Sequence, residues 1–132
     1  MIKFKSDRQN QEFKTIDNRL QTLLFFISGY CKGSFGKDVT ITHLLRTQAE
    51  QDKYYHKNPS YQTKPWLSVH QEGRGADIRT SKLQSTEIKE LVEIINFSFY
   101  YSNSKESAIF HNLGYGNHIH VQCSPGDRHY FK

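Results

Sequence analysis

The chain has 132 residues, of which 36% are hydrophobic and 14% aromatic, so it can build one folded domain around a single core. Its net charge of +5, from 18 basic and 13 acidic residues, is mild and is explained by solubility as well as by an anionic partner. No nucleic-acid-binding motif accompanies this charge, so we do not expect nucleic acid as a partner. The longest apolar run, Leu23 to Ile27, is too short to span a membrane.

The first third of the chain predicts a polar lead-in and a long amphipathic helix. Residues 1–12 are polar and are interpreted as a loose segment. Thr15 is predicted to cap the helix, and Gly33 and Gly36 are predicted to end it. The apolar residues at helical spacing, which predict its buried stripe, are Ile16, Leu20, Leu23, Leu24 and Ile27.

Short strands, a short helix and a loop follow. Residues 39–42 alternate between apolar residues and threonine, which predicts a strand, and residues 47–55 are predicted to form a short helix. Residues 58–65 contain two prolines and are predicted to form a loop. Residues 66–70 and 76–79 are predicted as the next two strands.

The remaining part of the chain predicts a second helix and two further strands. This helix begins at Ser85, and a polar loop at residues 102–107 separates it from strands at 108–111 and 118–122. Its apolar face consists of Ile88, Leu91, Val92 and Ile95.

This order of elements predicts an α+β fold: a small antiparallel sheet with helices packed on one face and the functional site on the other. We expect a lead-in at residues 1–12, one domain at residues 13–124 and a tail at residues 125–132.

Two short segments carry residues with metal chemistry: SVHQEGRGAD at positions 68–77 and GNHIHV at positions 116–121. They supply imidazoles and a carboxylate, and two imidazoles with one carboxylate are the ligand set of a catalytic zinc ion with one open position. Zinc lowers the pKa of water in that position, which creates a nucleophile at neutral pH. Alternate residues of a strand share a face, so His118 and His120 are predicted to point the same way.

The spacing of His70 and Asp77 requires a turn. Seven positions apart, the two residues would lie on opposite faces of one continuous strand. Gly73 and Gly75 are predicted to provide the turn, because glycine tolerates positive φ, and the small Ala76 is predicted to leave room beside a metal.

The pattern Ser-x-His, Gly, Ala, Asp followed by His-x-His resembles the signature of the D-Ala-D-Ala carboxypeptidase / L-alanyl-D-glutamate endopeptidase metallopeptidases. That group includes the zinc fold of hedgehog signalling domains. The resemblance extends over about residues 13–124 and implies this fold with a Zn²⁺ cofactor. It implies that His70, Asp77 and His120 are the zinc ligands.

The resemblance also implies roles for residues beside the metal. His118 resembles the histidine that stabilises the oxyanion. Arg46 resembles an arginine, on the strand before the first ligand, that grips the substrate, and a guanidinium does bind a carboxylate bidentately. Ser68 resembles the serine that lines the cleft.

Asn117 departs from the pattern, because many of these peptidases carry an acidic general base three residues before the last ligand. Asparagine cannot take a proton from water, which leaves Asn117 a substrate-binding role. Hydrolysis would then need another carboxylate, and the candidates are Glu72, nearest in sequence, followed by Asp38, Glu106 and Asp127.

Other patterns are set aside. The His-x-Glu at residues 70–72 is also found in zinc deaminases, but the required Pro-Cys-x-x-Cys is absent, as is the His-Glu-x-x-His of helix-borne metalloproteases. Cys31 and Cys123 are far apart in sequence and are predicted to be buried free thiols; the alternative, a disulfide, requires a fold that brings them together. The histidines that fit no ligand spacing, predicted as structural or solvent-facing, are His43, His56, His111 and His129.

These patterns predict a monomeric zinc peptidase that cuts peptide bonds in bacterial peptidoglycan stem peptides. The alternative, favoured by Asn117, is a zinc-binding module with weak or no catalysis that acts as a structural or protein-binding domain. No signal peptide opens the chain, so we expect synthesis in the cytoplasm, and release to the cell wall as a phage-type lysin is compatible with it.

Overall fold

The computed structural model describes residues 2–63, 68–102, 105–113 and 116–124. Within these residues the chain forms one five-stranded sheet, with the strands in the order β1-β2-β3-β5-β4. The strands are β1 Ile2–Phe4, β2 Val39–His43, β3 Gly75–Arg79, β4 Ala108–Leu113 and β5 Gly116–Gln122. The helices are α1 Asp7–Glu12, α2 Asn18–Phe35, α3 Gln48–Tyr55, α4 Pro59–Thr63 and α5 Ser85–Ser98.

The predicted α+β class is confirmed, but the purely antiparallel sheet is wrong. Strand β1 pairs with β2 in parallel, and the other pairings are antiparallel. The lead-in at residues 1–12 is therefore not loose, since it contains β1 and α1. The polar composition of this segment predicts no strand, but Ile2 and Phe4 of the three-residue strand β1 pack against the core.

Alternation along the strands separates a core face from a site face. Ile78 of β3 and Ile119 of β5 are fully buried under α2 and α5, in one cluster with the predicted stripe of α2. Asp77 and His120, one position away on the same strands, therefore point to the opposite face. Ala76 belongs to the core face, so it fills the core and does not make room beside a metal.

The helix ends differ in detail from the sequence prediction. Asp17, not Thr15, caps α2, because its carboxylate accepts a hydrogen bond from the backbone N–H of Arg19. Gly36 ends α2 in the left-handed region at φ 67°, whereas Gly33 lies inside the helix. Helix α3 begins, as predicted, after Thr47.

The structure also corrects two predicted segments, the loop at residues 58–65 and the strand at residues 66–70. Residues 59–63, predicted as part of a loop, form α4, which is anchored by the buried Tyr61 through a hydrogen bond from its hydroxyl to Asp52. Residues 69–73 form a turn rather than the end of a strand, and the rest of that predicted strand, residues 66 and 67, lies outside the described residues. Gly73 has the predicted positive φ of 69°.

Both cysteines are free, as predicted. Cys31 is buried and Cys123 is half-buried, and this burial raises the pKa of each thiol to about 11. Among the described residues, no helix combines the length and the apolar character needed to cross a bilayer.

Candidate metal centre

The centre of the site face brings together the three predicted ligands. Asp77 of β3 and His120 of β5 are direct cross-strand partners. His70 reaches the same point from the turn that precedes β3, and its backbone carbonyl accepts a hydrogen bond from the N–H of Arg46. One ligand atom from each of the three side chains lies within 4.8 Å of the others, an arrangement that could hold a metal ion.

The distances within this group suit a tetrahedral ion. His120 Nδ1 is 3.0 Å and His70 Nε2 is 3.4 Å from Asp77 Oδ1. Ligand atoms bound at 2.0–2.2 Å to a tetrahedral zinc lie roughly 3.3–3.6 Å apart, so small shifts bring all three into contact with one ion.

The hydrogen bonds behind His70 determine which of its nitrogens faces the group. Nδ1 lies 2.8 Å from the carbonyl oxygen of Leu44, and a carbonyl can only accept, so Nδ1 carries the hydrogen. In the neutral ring this leaves the lone pair on Nε2, the atom that faces Asp77. Such a backbone carbonyl is a common partner of metal-binding histidines because it holds the ring in one tautomer.

The hydrogen bonds around His120 likewise determine which of its nitrogens carries the hydrogen. The amide nitrogen of Gln122 donates to the carbonyl of Glu106 at 2.8 Å, so the amide oxygen of Gln122 faces His120 Nε2 at 3.1 Å. Nε2 therefore carries the hydrogen, and the lone pair of Nδ1 points at Asp77. Two imidazole lone pairs and a carboxylate thus converge, and a cation placed among them satisfies all three.

Asp77 is suited to bind such a cation. Burial by itself raises the pKa of its carboxyl group, but positive charge on His120 and His70, which donate hydrogen bonds to it when protonated, outweighs burial and holds the pKa well below its usual range; a metal ion bound to the neutral rings would supply that positive charge instead. The carboxylate is consequently charged at neutral pH, although it is largely removed from solvent.

A cavity of about 610 Å³ opens over this group. The predicted residues Arg46, Ser68 and His118 all line it. His118 Nε2 lies 3.9 Å from Asp77 Oδ1, close enough to act at the same centre. Other residues that line the cavity are Lys5, Thr42, Tyr54 and Tyr55.

Arg46 is held in place at the edge of this cavity. Its Nη1 donates to the buried Gln51 at 2.9 Å, and its guanidinium lies over the ring of Tyr54, 4.7 Å from the centroid. Its Nε is buried and has no hydrogen-bond partner within the described part of the chain. Arg46 lies in the segment after β2 rather than on a strand.

Two predicted site residues are not brought to the cavity. Glu72 is exposed, and its carboxylate pairs with Arg74 at 2.9 Å. Asn117 lies one position from His118 on β5, so it faces away from the metal group and lines a groove beside α5 with Phe110. Neither side chain is placed to act on a water molecule at the metal group.

The remote base candidates do not line the cavity either. Asp38 forms ion pairs with Lys3 and Lys32, and Glu106 accepts from Asn96. Asp127 lies outside the described residues. Among the described residues that line the cavity, Asp77 is therefore the single carboxylate.

Two histidines that fitted no ligand spacing do line the cavity. His43 stacks on His70 with ring centroids 4.7 Å apart, and its Nδ1 lies 3.7 Å from Asp77 Oδ2. The register of β2 shifts between Ile41 and His43, and such bulges often redirect a side chain towards a site. No spacing rule anticipates a bulge, so sequence reasoning missed His43.

The second missed histidine, His111, is opposite His118 on β4. It lay in a predicted strand, and pairing that strand with residues 118–122 in the observed register would have found it. Burial lowers the pKa of His43 to about 4 and also lowers that of His111, and the charges of neighbouring histidines act in the same direction. Both rings are neutral at pH 7. His56 is exposed, as predicted, and His129 lies outside the described residues.

Gly75 is required by a close approach rather than by a positive φ. A Cβ atom at this position would lie 2.4 Å from Cγ2 of Val69 and 3.4 Å from Cε1 of His120. We expect Gly75→Ala to destabilise the fold by about 1–3 kcal/mol, because the stiff Val69 must move together with its neighbour His70. Urea unfolding measures this change, and zinc affinity should fall as well.

The matched control is Gly29→Ala in α2. Nothing lies within 4 Å of an added Cβ there, and alanine favours a helix interior over glycine by about 0.5–1 kcal/mol. Gly29→Ala should therefore stabilise the protein. A Gly75→Ala variant that is equally stable would contradict the close approach.

We expect Gln122 to affect zinc affinity through its hydrogen bond with His120. Gln122→Leu removes the oxygen that accepts from His120 Nε2 and frees the ring to rotate. We expect zinc affinity to fall about 10–100-fold, the usual effect of losing such a partner. Competition with a chromophoric chelator measures the affinity, and an unchanged value would show that Gln122 does not orient the ring.

No protein-family model matches the chain, and the searches of curated proteins and of solved structures found no match either.

Proposed function

We propose that the protein is a zinc-dependent peptidase that cuts peptide bonds in peptidoglycan stem peptides. The observation that carries the proposal is the convergence of His70 Nε2, His120 Nδ1 and Asp77 Oδ1 at the floor of an accessible cavity. A zinc ion in such a site would supply a Lewis acid and a nucleophilic water at neutral pH. The choice of stem peptides as substrate comes from the sequence resemblance.

The surrounding side chains have chemistry that suits this substrate. Arg46 lines the cavity and would offer its guanidinium to a peptide carboxylate, and stacking on Tyr54 keeps that guanidinium in place. His118 borders the metal group at 3.9 Å from Asp77 and would donate a hydrogen bond to the oxyanion that develops on the attacked carbonyl. Ser68 lines the same cavity and would help to position the peptide.

A second candidate function is a zinc-binding module without hydrolysis. It is favoured by the lack of any carboxylate besides Asp77 among the described residues that line the cavity. Without a second carboxylate, a peptidase would have to transfer the proton of the attacking water to an imidazole. A module that binds zinc without hydrolysis needs no proton acceptor.

Release of peptide fragments from purified peptidoglycan tests the proposal. The wild type should release fragments, chelation should abolish the release, and added zinc should restore it. Glu72→Gln and Asn117→Asp should leave the rate unchanged, because neither side chain lines the cavity. A wild type that is inert with zinc bound would establish the binding module instead.

A further inference from the structure

The cavity contains more imidazoles than one metal ion uses. Among the described residues, five histidines line it, and of these His70 and His120 belong to the candidate metal group. His43 is stacked directly on His70. His111 and His118 are paired on the β4 side of the cavity, and the ring centroid of His111 lies 6.1 Å from that of His120.

The ring spacing of this pair equals that of the two histidines of the first candidate metal site. His111 and His118 are direct partners on antiparallel strands, and both face the cavity. Their ring centroids are 5.2 Å apart, the same distance that separates the rings of His70 and His120. At a Zn–N bond of 2.0–2.1 Å, two imidazoles at a tetrahedral angle have centroids roughly 5 Å apart. The spacing of the two rings therefore allows both to bind one ion once a nitrogen of each is turned towards it.

We propose that His111 and His118 form a second zinc site, distinct from the site of His70, Asp77 and His120. Imidazole suits zinc among the divalent metals, and solvent can complete the coordination because both rings border an accessible cavity. This second site binds more weakly than the first, because it has two protein ligands instead of three. Asp77 Oδ1 lies 3.9 Å from His118 Nε2, but it belongs to the first site, and the net positive charge of that site once filled weakens the second site further.

The second site has a regulatory consequence, which rests on the proposed peptidase function. His118 cannot stabilise an oxyanion while its ring nitrogen is bound to zinc. The first equivalent of zinc therefore activates the protein, and an excess inhibits it. The zinc concentration at which activation gives way to inhibition is determined by the zinc affinity of the His111–His118 pair.

Zinc stoichiometry tests this proposal without requiring activity. Equilibrium dialysis at rising free zinc, with metal measured by mass spectrometry, should give about two equivalents in the wild type, bound in two steps. His111→Ala should lose the weaker step and retain the stronger. The control His56→Ala should keep both, because His56 is exposed at the C-cap of α3 and its Nδ1 contacts the carbonyl of Lys53 in that helix. His111→Gln preserves more of the side-chain volume and should behave like His111→Ala.

The outcomes separate this proposal from the proposed function. Saturation of the wild type at one equivalent, or two equivalents in a folded His111→Gln protein, would overturn the second site even if peptidoglycan is cleaved. Two equivalents in an inert wild type, with one lost in His111→Gln, would support the second site and reject the peptidase. In an active protein, inhibition by excess zinc should disappear in His111→Gln, and inhibition that persists would overturn the regulatory role.

Discussion

His120→Ala is expected to abolish high-affinity zinc binding and to lower the melting temperature of the zinc-loaded protein. The wild type should bind one zinc per chain at low free zinc, and removal of one of three ligands leaves a histidine and a carboxylate that cannot hold the ion tightly. A metal that binds only the folded chain stabilises it by about 4 kcal/mol when free zinc is a thousand times the dissociation constant. The mutant loses this contribution.

The experiment pairs metal analysis with thermal unfolding. His70→Ala should behave like His120→Ala, whereas the control His56→Ala should retain both the zinc and the melting temperature. Chelation should lower the melting temperature of the wild type strongly and that of His120→Ala little, which separates metal loss from lost packing. Full zinc retention in both ligand variants would reject the metal centre.

His118→Ala is expected to keep the first zinc and to lose most of the peptidase activity. His118 is not one of the three converging ligands, but its Nε2 lies 3.9 Å from Asp77 Oδ1, beside the point where a substrate carbonyl would bind. Removal of one oxyanion donor typically lowers kcat by about 10²–10³-fold. KM should change far less, because the interaction forms mainly in the transition state.

The measurement is the rate of peptide release at one equivalent of zinc, where the second site is unfilled. His118→Gln retains a donor and should recover part of the rate. If His118→Ala released fragments as fast as the wild type, His118 would have no part in the reaction. If it lost the first zinc, His118 would be a ligand instead.

The sequence alone predicted those features that depend on residues close together in the chain. The stripe of α2 and the face of α5 follow from helical periodicity, which depends only on neighbours three and four positions apart. Gly36 was identified as the end of α2 because a glycine C-cap is also a local signal. The converging group His70, Asp77 and His120 could be predicted because the sequence pattern resembles a zinc-peptidase signature, and that resemblance, not spacing alone, selected His120 rather than His118.

The tertiary structure alone decided which other side chains share the site. Strand pairing placed His111 opposite His118, and a bulge in β2 directed His43 to Asp77. The spacing of these residues in the sequence predicts neither contact. The two-residue period of β5 turned Asn117 to the α5 side, and Arg74 engaged Glu72 outside the cavity. These placements depend on register and on partners far along the chain, and a shift of register by one residue reverses every side chain of a strand. Local pattern therefore predicts the ligands, whereas long-range pairing determines what surrounds them.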